Sequence, residues 1–137
     1  MSYLLDTNAV IALLTNRPPG VRDRLRQEVA TVTIATSSIV LFELWYGVAR
    51  SQHRAQNAER LRTFLAGIVS ILHFEEEDAA IAGDLRVELE RAGTPIGPYD
   101  LLIAAQALRT GTILVTANVS EFRRVRGLVW QDWSEAG

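Results

Sequence analysis

Cysteine is absent from the 137 residues. That excludes disulfides and thiolate-held zinc, and it fits a reducing compartment such as the cytoplasm. Lysine is absent too: all 14 basic residues are arginine. Phosphate loops, receiver domains and haloacid-dehalogenase-type phosphatases, each of which depends on a lysine, are thereby set aside. The two histidines, His53 and His73, are too few and too far apart for a zinc site and read as surface or strand-end residues. No apolar run approaches the roughly 18 residues of a membrane span, and the start of the chain has no basic leader, so neither secretion nor membrane insertion is expected. A formal net charge of −2 gives no overall attraction for nucleic acid. A Gly-x-Ser-x-Gly elbow is missing as well.

What is present is a chain 48% hydrophobic, enough for one core and too short for two ordinary domains, so a single domain over residues 1–137 is expected. Strand and helix signals alternate. Ser2 to Leu5 is a short apolar run ahead of Asp6-Thr7-Asn8 and a helix from Ala9 to Leu14. Pro18-Pro19-Gly20 breaks the chain before a second helix, Val21 to Val29. A β-branched run, Val32 to Ala35, leads into Thr36-Ser37-Ser38, which caps a helix reaching about Arg50. A fourth helix spans Arg54 to Ala66, with Leu61, Leu65 and Ile68 at helical spacing. Ser70 to Phe74 reads as a strand. Glu75-Glu76-Glu77-Asp78 opens a helix ending at Gly93, where the helix dipole suffices to explain the acids. Pro98 starts a nearly all-apolar helix, Tyr99 to Arg109, closed by Gly111. Strands follow at Ile113 to Val115 and Leu128 to Trp130. This alternation predicts an α/β fold with a mostly parallel sheet, whose ligands sit beyond the carboxyl ends of the strands.

Three acids occupy informative places. Asp6 follows the first strand, where a helix cap would account for it. Glu43 lies inside the apolar stretch Ile39 to Tyr46, and a glutamate buried there needs a partner, so a positive group is expected near it. Gly47, one turn on, suggests close packing or access. Asp100 sits in the first turn after Gly97-Pro98, where the dipole is an alternative account, although the following Leu101 to Ala105 bury the helix start. If the three converge, their repulsion calls for a cation, and hard oxygen donors describe magnesium or manganese. The bunched arginines, Arg22, Arg24 and Arg26, Arg50 to Arg62, and Arg123 to Arg126, read mainly as solvated helix faces, with a few suited to phosphate.

The ordered set of Leu4-Leu5-Asp6-Thr7-Asn8, Ser38 with Glu43-Leu44-Trp45-Tyr46-Gly47, Gly93 to Asp100, Leu102-Ile103-Ala104-Ala105, Val115-Thr116-Ala117-Asn118 with Glu121-Phe122, and Gly127-Leu128 with Trp133 resembles the PIN-domain ribonucleases. Within them it resembles the VapC toxins of toxin–antitoxin pairs. The resemblance implies a three-layer α/β/α domain with a five-stranded parallel sheet of order 3-2-1-4-5, and Asp6 facing Asn118. It implies Asp6, Glu43 and Asp100 as the metal-binding and catalytic acids for Mg2+ or Mn2+. Asn118 stands at the fourth acidic position, which favours one firmly held ion, and Glu121 is either a substitute or a solvated acid. Thr7, Ser38 and Thr116 would orient ligands. It further implies an RNA substrate such as tRNA, a homodimer, and a VapB-type antitoxin that joins it in a larger complex. Leu13, Leu14, Trp45 and Tyr46 are either groove residues for that antitoxin or core. The rival expectations are a non-catalytic PIN-like protein that holds RNA or antitoxin, and a metal-dependent phosphatase.

Overall fold

A computed structural model describes residues 2–30, 32–67 and 69–134; Ile68 of the fourth-helix pattern lies outside them. Strand β1 (Ser2–Leu5) runs into α1 (Thr7–Thr15) and α2 (Pro19–Glu28). β2 (Thr33–Ser37) leads to α3 (Ser38–Ala49) and α4 (Arg54–Leu65). β3 (Ser70–Leu72) precedes α5 (Glu76–Arg91) and α6 (Pro98–Thr110), and β4 (Ile113–Val115) is joined to β5 (Trp130–Gln131) through α7 (Val119–Phe122). All pairings are parallel and the sheet order is β3-β2-β1-β4-β5. The third and fifth strands are shorter or shifted relative to expectation, and α7 is an addition to it, because one turn is too short to show a period.

Local chemistry sets the element ends. Asp6 accepts a 2.8 Å hydrogen bond from the Ala9 N–H and so caps α1, while Asn16 closes it in the left-handed region at φ 55°. Of the Thr36-Ser37-Ser38 trio it is Ser37 that caps α3, accepting from the Ile39 N–H at 2.9 Å. Pro18-Pro19-Gly20 does break the chain, but Pro19 and Gly20 then form the first turn of α2, where a missing N–H costs nothing. Pro98 does the same for α6, and Gly111 ends it at φ 65°.

The strands of β1 and β2 are buried on both faces after their first residues, which requires helices above and below the sheet. Leu4, Leu5, Val10, Ile103 and Leu114 centre the core, with Trp133 closing it edge-on against Tyr3 at 5.0 Å between ring centres. Two polar links fasten helices to that core. Fully buried Gln106 of α6 accepts a short hydrogen bond from Ser37 Oγ and donates to the Leu72 carbonyl at 3.1 Å, tying α6 to the ends of β2 and β3. Fully buried Asp78 of α5 meets the Arg109 guanidinium of α6 through both oxygens, the Nη2 contact being 3.1 Å. The acidic run at the start of α5 is thus more than a dipole match: its last member is a buried ion-pair partner that also accepts from the Glu75 N–H at 2.7 Å. No helix among the described residues is long and apolar enough to cross a membrane.

Candidate active site

The register of β1 against β4 pairs Leu5 with Val115, and the Asp6 N–H continues the ladder to the Val115 carbonyl at 3.1 Å. Asp6 and Thr116 therefore leave the sheet side by side at the central strand pair. Asp6 is 3% exposed and Thr116 1%. Burial pushes the Asp6 carboxyl up to about 6, against hydrogen bonds from Thr116 and the Ala9 N–H that favour its charge; Glu43 and Asp132 raise it further by repulsion.

Glu43 comes in from α3, half-buried, and accepts a 2.8 Å hydrogen bond from Thr7 Oγ1. Asp100 enters from the first turn of α6. Burial pushes its carboxyl up to about 7, helped by a hydrogen bond to Glu121 and by the charges of Glu121, Asp6 and Glu43. Two adjacent carboxylates resist joint ionisation, which favours the protonated form of Asp100. Glu121 is lowered instead, by the Asn118 amide first and by the Gly97 N–H second.

Asn118 sits beside Asp100 and is linked towards Asp6 through Thr116. Its Nδ2 donates to Asp100 Oδ2 at 3.0 Å and to Glu121 Oε2 at 2.5 Å, and its backbone N–H donates to Thr116 Oγ1 at 2.9 Å. Thr116 takes the place across from Asp6. Glu121 is fixed on its other oxygen by the Gly97 N–H at 2.9 Å, so it belongs to the site and is not a freely solvated acid. Its spacing from Asn118 is the sequence signal for this: α7 returns the side chain three residues on to the same side. Asp132 is missing from the expected set, although it follows β5 at the same sheet edge as Asp6 and Asn118.

Ser38 does not reach the acids: its hydroxyl accepts from the Phe74 N–H at 3.1 Å and fastens the chain after β3 to the start of α3. Of the groove residues expected from sequence, Leu13 is core at 5% exposed. Trp45 is half-buried against the core with Arg62 stacked on its ring at 5.5 Å, and Tyr46 is exposed beneath Arg50 at 5.0 Å. Leu14 does line a groove of about 260 Å³ between α1, α3 and α4, together with Ile11, Leu44, Val48 and Leu61, with Thr15, Glu43, Asn57 and Arg60 at its polar positions. Gly47 opens onto the same groove, and a Cβ there would meet nothing within 4 Å. Access, not close packing, is its contribution. His53 and His73 are exposed and remote from this chemistry.

The donor set of Asp6, Glu43, Asp100 and Glu121, with the Asn118 amide carbonyl, is all oxygen and suits a hard divalent cation. Among the described residues no three such side chains are drawn to ligand distance of one point. The charge of Glu43 raises both Asp6 and Asp100, and that of Asp6 raises Asp100, while Thr7 engages Glu43 and Asn118 bridges Asp100 and Glu121.

The PIN domain family matches residues 3–128. The chain is 39% identical to Ribonuclease VapC2 of Rickettsia felis over 98% of its length and 100% of the relative's. It is also 39% identical to the tRNA(fMet)-specific endonuclease VapC of Shigella flexneri, over 98% of this chain and 99% of that one. Among solved structures, VapBC2 from Rickettsia felis, bound to a DNA fragment from their promoter, superposes with a TM-score of 0.91 at 39% identity over 97% of this chain and 99% of that chain. VapBC from Salmonella typhimurium, also bound to DNA, gives 0.88 at 35% identity over 97% and 98%. Family match, sheet order and full-length similarity agree: the chain belongs to the PIN-domain family, and within it to the VapC ribonucleases.

Proposed function

We propose that this protein, a single domain over residues 1–137, is a magnesium- or manganese-dependent endoribonuclease and the toxin of a toxin–antitoxin pair, acting in the cytoplasm on structured RNA of the tRNA class. The observation that carries this reading is the meeting of Asp6, Glu43 and Asp100 from three separate elements at the carboxyl ends of β1 and β4. Burial and mutual repulsion hold two of them partly protonated near neutrality. Such a group is unfavourable by itself and gains from a cation.

In this reading Asp6 and Asp100 hold the ion directly, and Glu43 holds it directly or through water. A bound divalent cation supplies the Lewis acidity that activates water and offsets charge building on the phosphate. The chain's own groups do the rest. Thr7 aims Glu43, and Thr116 aims Asp6 while fixing the Asn118 backbone. Asn118 and the Gly97 N–H keep Glu121 beside Asp100, where its negative charge would add to the attraction for the ion. The neutral Asn118 favours one firmly held ion.

The relatives seen as VapBC complexes support a VapB-type antitoxin as partner. The groove between α1, α3 and α4 is its proposed seat, since its lining is largely apolar and includes Glu43, so an occupant would lie against one of the acids of the site. A homodimer of the toxin, joined with antitoxin into a larger complex, completes the proposed assembly.

The test incubates antitoxin-free protein with total tRNA and with a small phosphomonoester, with and without magnesium or manganese. Metal-dependent cuts in RNA, absent from Asp6→Asn and Asp100→Asn, are expected. Metal-independent RNA binding with no cleavage would replace the reading with a binding module, and turnover of the phosphomonoester alone would make it a phosphatase.

A further inference from the structure

A second cleft shares its wall with the acidic site. It has a volume of about 270 Å³ and lies between α1, the turn at 17–21 and the ends of β4 and β5. Its boundary with the site is Ala9, whose N–H is held by Asp6, and Thr116, whose hydroxyl meets Asp6. A group entering it therefore lies next to Asp6 without displacing any of the three acids Asp6, Glu43 and Asp100.

Most of the wall is apolar, formed by such residues as Ala12, Pro18, Val21, Val115 and Ala117. Against it stand three polar groups with spare capacity. Arg17 is exposed, and its guanidinium makes no hydrogen bond or ion pair among the described residues. Asn8 is exposed and its amide is likewise unused, because capping of α1 falls to Asp6. Asp132 is half-buried, and only its Oδ1 is engaged, accepting from the Ser134 N–H at 2.8 Å and from Ser134 Oγ at 2.5 Å. Its Oδ2 faces no donor among the described residues. An apolar slot with one free cation, one free acceptor and one amide matches the parts of a nucleotide: a phosphate, a flat ring and a hydrogen-bonding edge.

We propose that this cleft is a nucleotide subsite for the residue neighbouring the cut, in which Arg17 takes a backbone phosphate and Asp132 Oδ2, with Asn8, reads a base bearing an exocyclic amine. Arginine suits phosphate because its fork delivers two N–H groups to one anion. A carboxylate oxygen accepts from an amine and repels a carbonyl, so adenine, cytosine and guanine are favoured over uracil. The inference rests on the ribonuclease reading only for its biological setting; the cleft's ligand chemistry stands on its own walls.

The experiment is amide-shift mapping by NMR of the isotopically labelled protein with AMP, CMP, GMP and UMP in turn, without added metal, beside an RNA cleavage assay on the same protein with magnesium. Shifts are expected at Asn8, Ala9, Ala117 and Ser134, with the amine-bearing nucleotides bound about fivefold more tightly than UMP, the worth of one added hydrogen bond. Asp132→Asn should remove that preference. Arg17→Gln should weaken all four nucleotides alike and lower the salt slope of binding to a single-stranded RNA by about one unit. Arg17→Gln should melt with the parent protein, since its guanidinium has no partner to lose among the described residues, and Asp132→Asn should melt no lower, since Oδ1 can still accept from Ser134 and repulsion of Asp6 is relieved. Shifts confined to the groove between α3 and α4, or no shifts, would overturn the subsite even if RNA is cut. Shifts in the cleft with no cutting would uphold it and overturn the nuclease reading instead.

Discussion

Asp6 and Asp100 hold protons in the folded chain that they would release in an unfolded one. Their folded values of about 6 and about 7 lie above the ordinary 3.8, so the stability tied to those protons is complete below 3.8 and is lost as pH rises through 6 and 7. Glu121 has the opposite sign, its stabilisation being lost only as pH falls below its ordinary 4.5. Between pH 4.5 and 7 the two acids dominate this site, and the metal-free protein is expected to melt at progressively lower temperature as pH rises across that range. Thermal melts in chelator check this, and a rising profile would contradict it. Saturating magnesium should flatten or reverse the slope, because an ion competes with the protons. In the same metal-free melts Asp6→Asn and Asp100→Asn should leave stability unchanged or raised near neutral pH while reducing RNA cleavage by orders of magnitude. A large loss of stability for Asp6→Asn would show that capping α1 outweighs its repulsion from Glu43 and Asp132.

At the scale of elements, the long periodic helices are legible from sequence because their apolar spacing is set by the faces they bury, and α1 to α6 lie within a few residues of expectation. The convergence of Asp6, Glu43 and Asp100 is legible in part, since each stands at an element start or inside an apolar helix. Three things are not legible. Asn118 turns to Asp100 because α7 and Thr116 direct it, and a four-residue helix leaves no periodic trace. Asp78 looks like one of four equivalent acids, and only the approach of Arg109, 31 residues away, sets it apart. Ser37 and Ser38 are alike as caps, yet one serves α3 and Gln106 and the other serves Phe74. Ser37→Ala should accordingly cost about 1 kcal/mol for the cap and more for leaving Gln106 short of a partner, read as a lowered denaturant midpoint. Gly47→Ala should act in the other direction. With open space at its Cβ position, the helix gains up to about 1 kcal/mol in propensity, so the protein should melt higher with RNA cleavage intact. The same methyl narrows the groove between α1, α3 and α4, so affinity for a co-expressed antitoxin should fall; unchanged affinity would move the antitoxin off that groove.

For the whole molecule, the sheet brings the acids together at its central strand pair, while Gln106 and the Asp78–Arg109 pair fasten α6, which carries Asp100, to the rest of the fold. Ion binding to these acids should raise the melting temperature in proportion to the logarithm of excess magnesium, and the rise should vanish in Asp100→Asn. Titration calorimetry with magnesium gives an independent reading of the same interaction. The sheet's margins have a further consequence. Its outer strands span three residues in β3 and two in β5, so very little backbone is available for another chain to pair with. An isolated copy of this protein offers few templates for fibril growth or strand exchange. Whatever restrains it in the cell must engage helix surfaces and side-chain grooves, and an inhibitor designed to add a β-strand would find no ledge to extend.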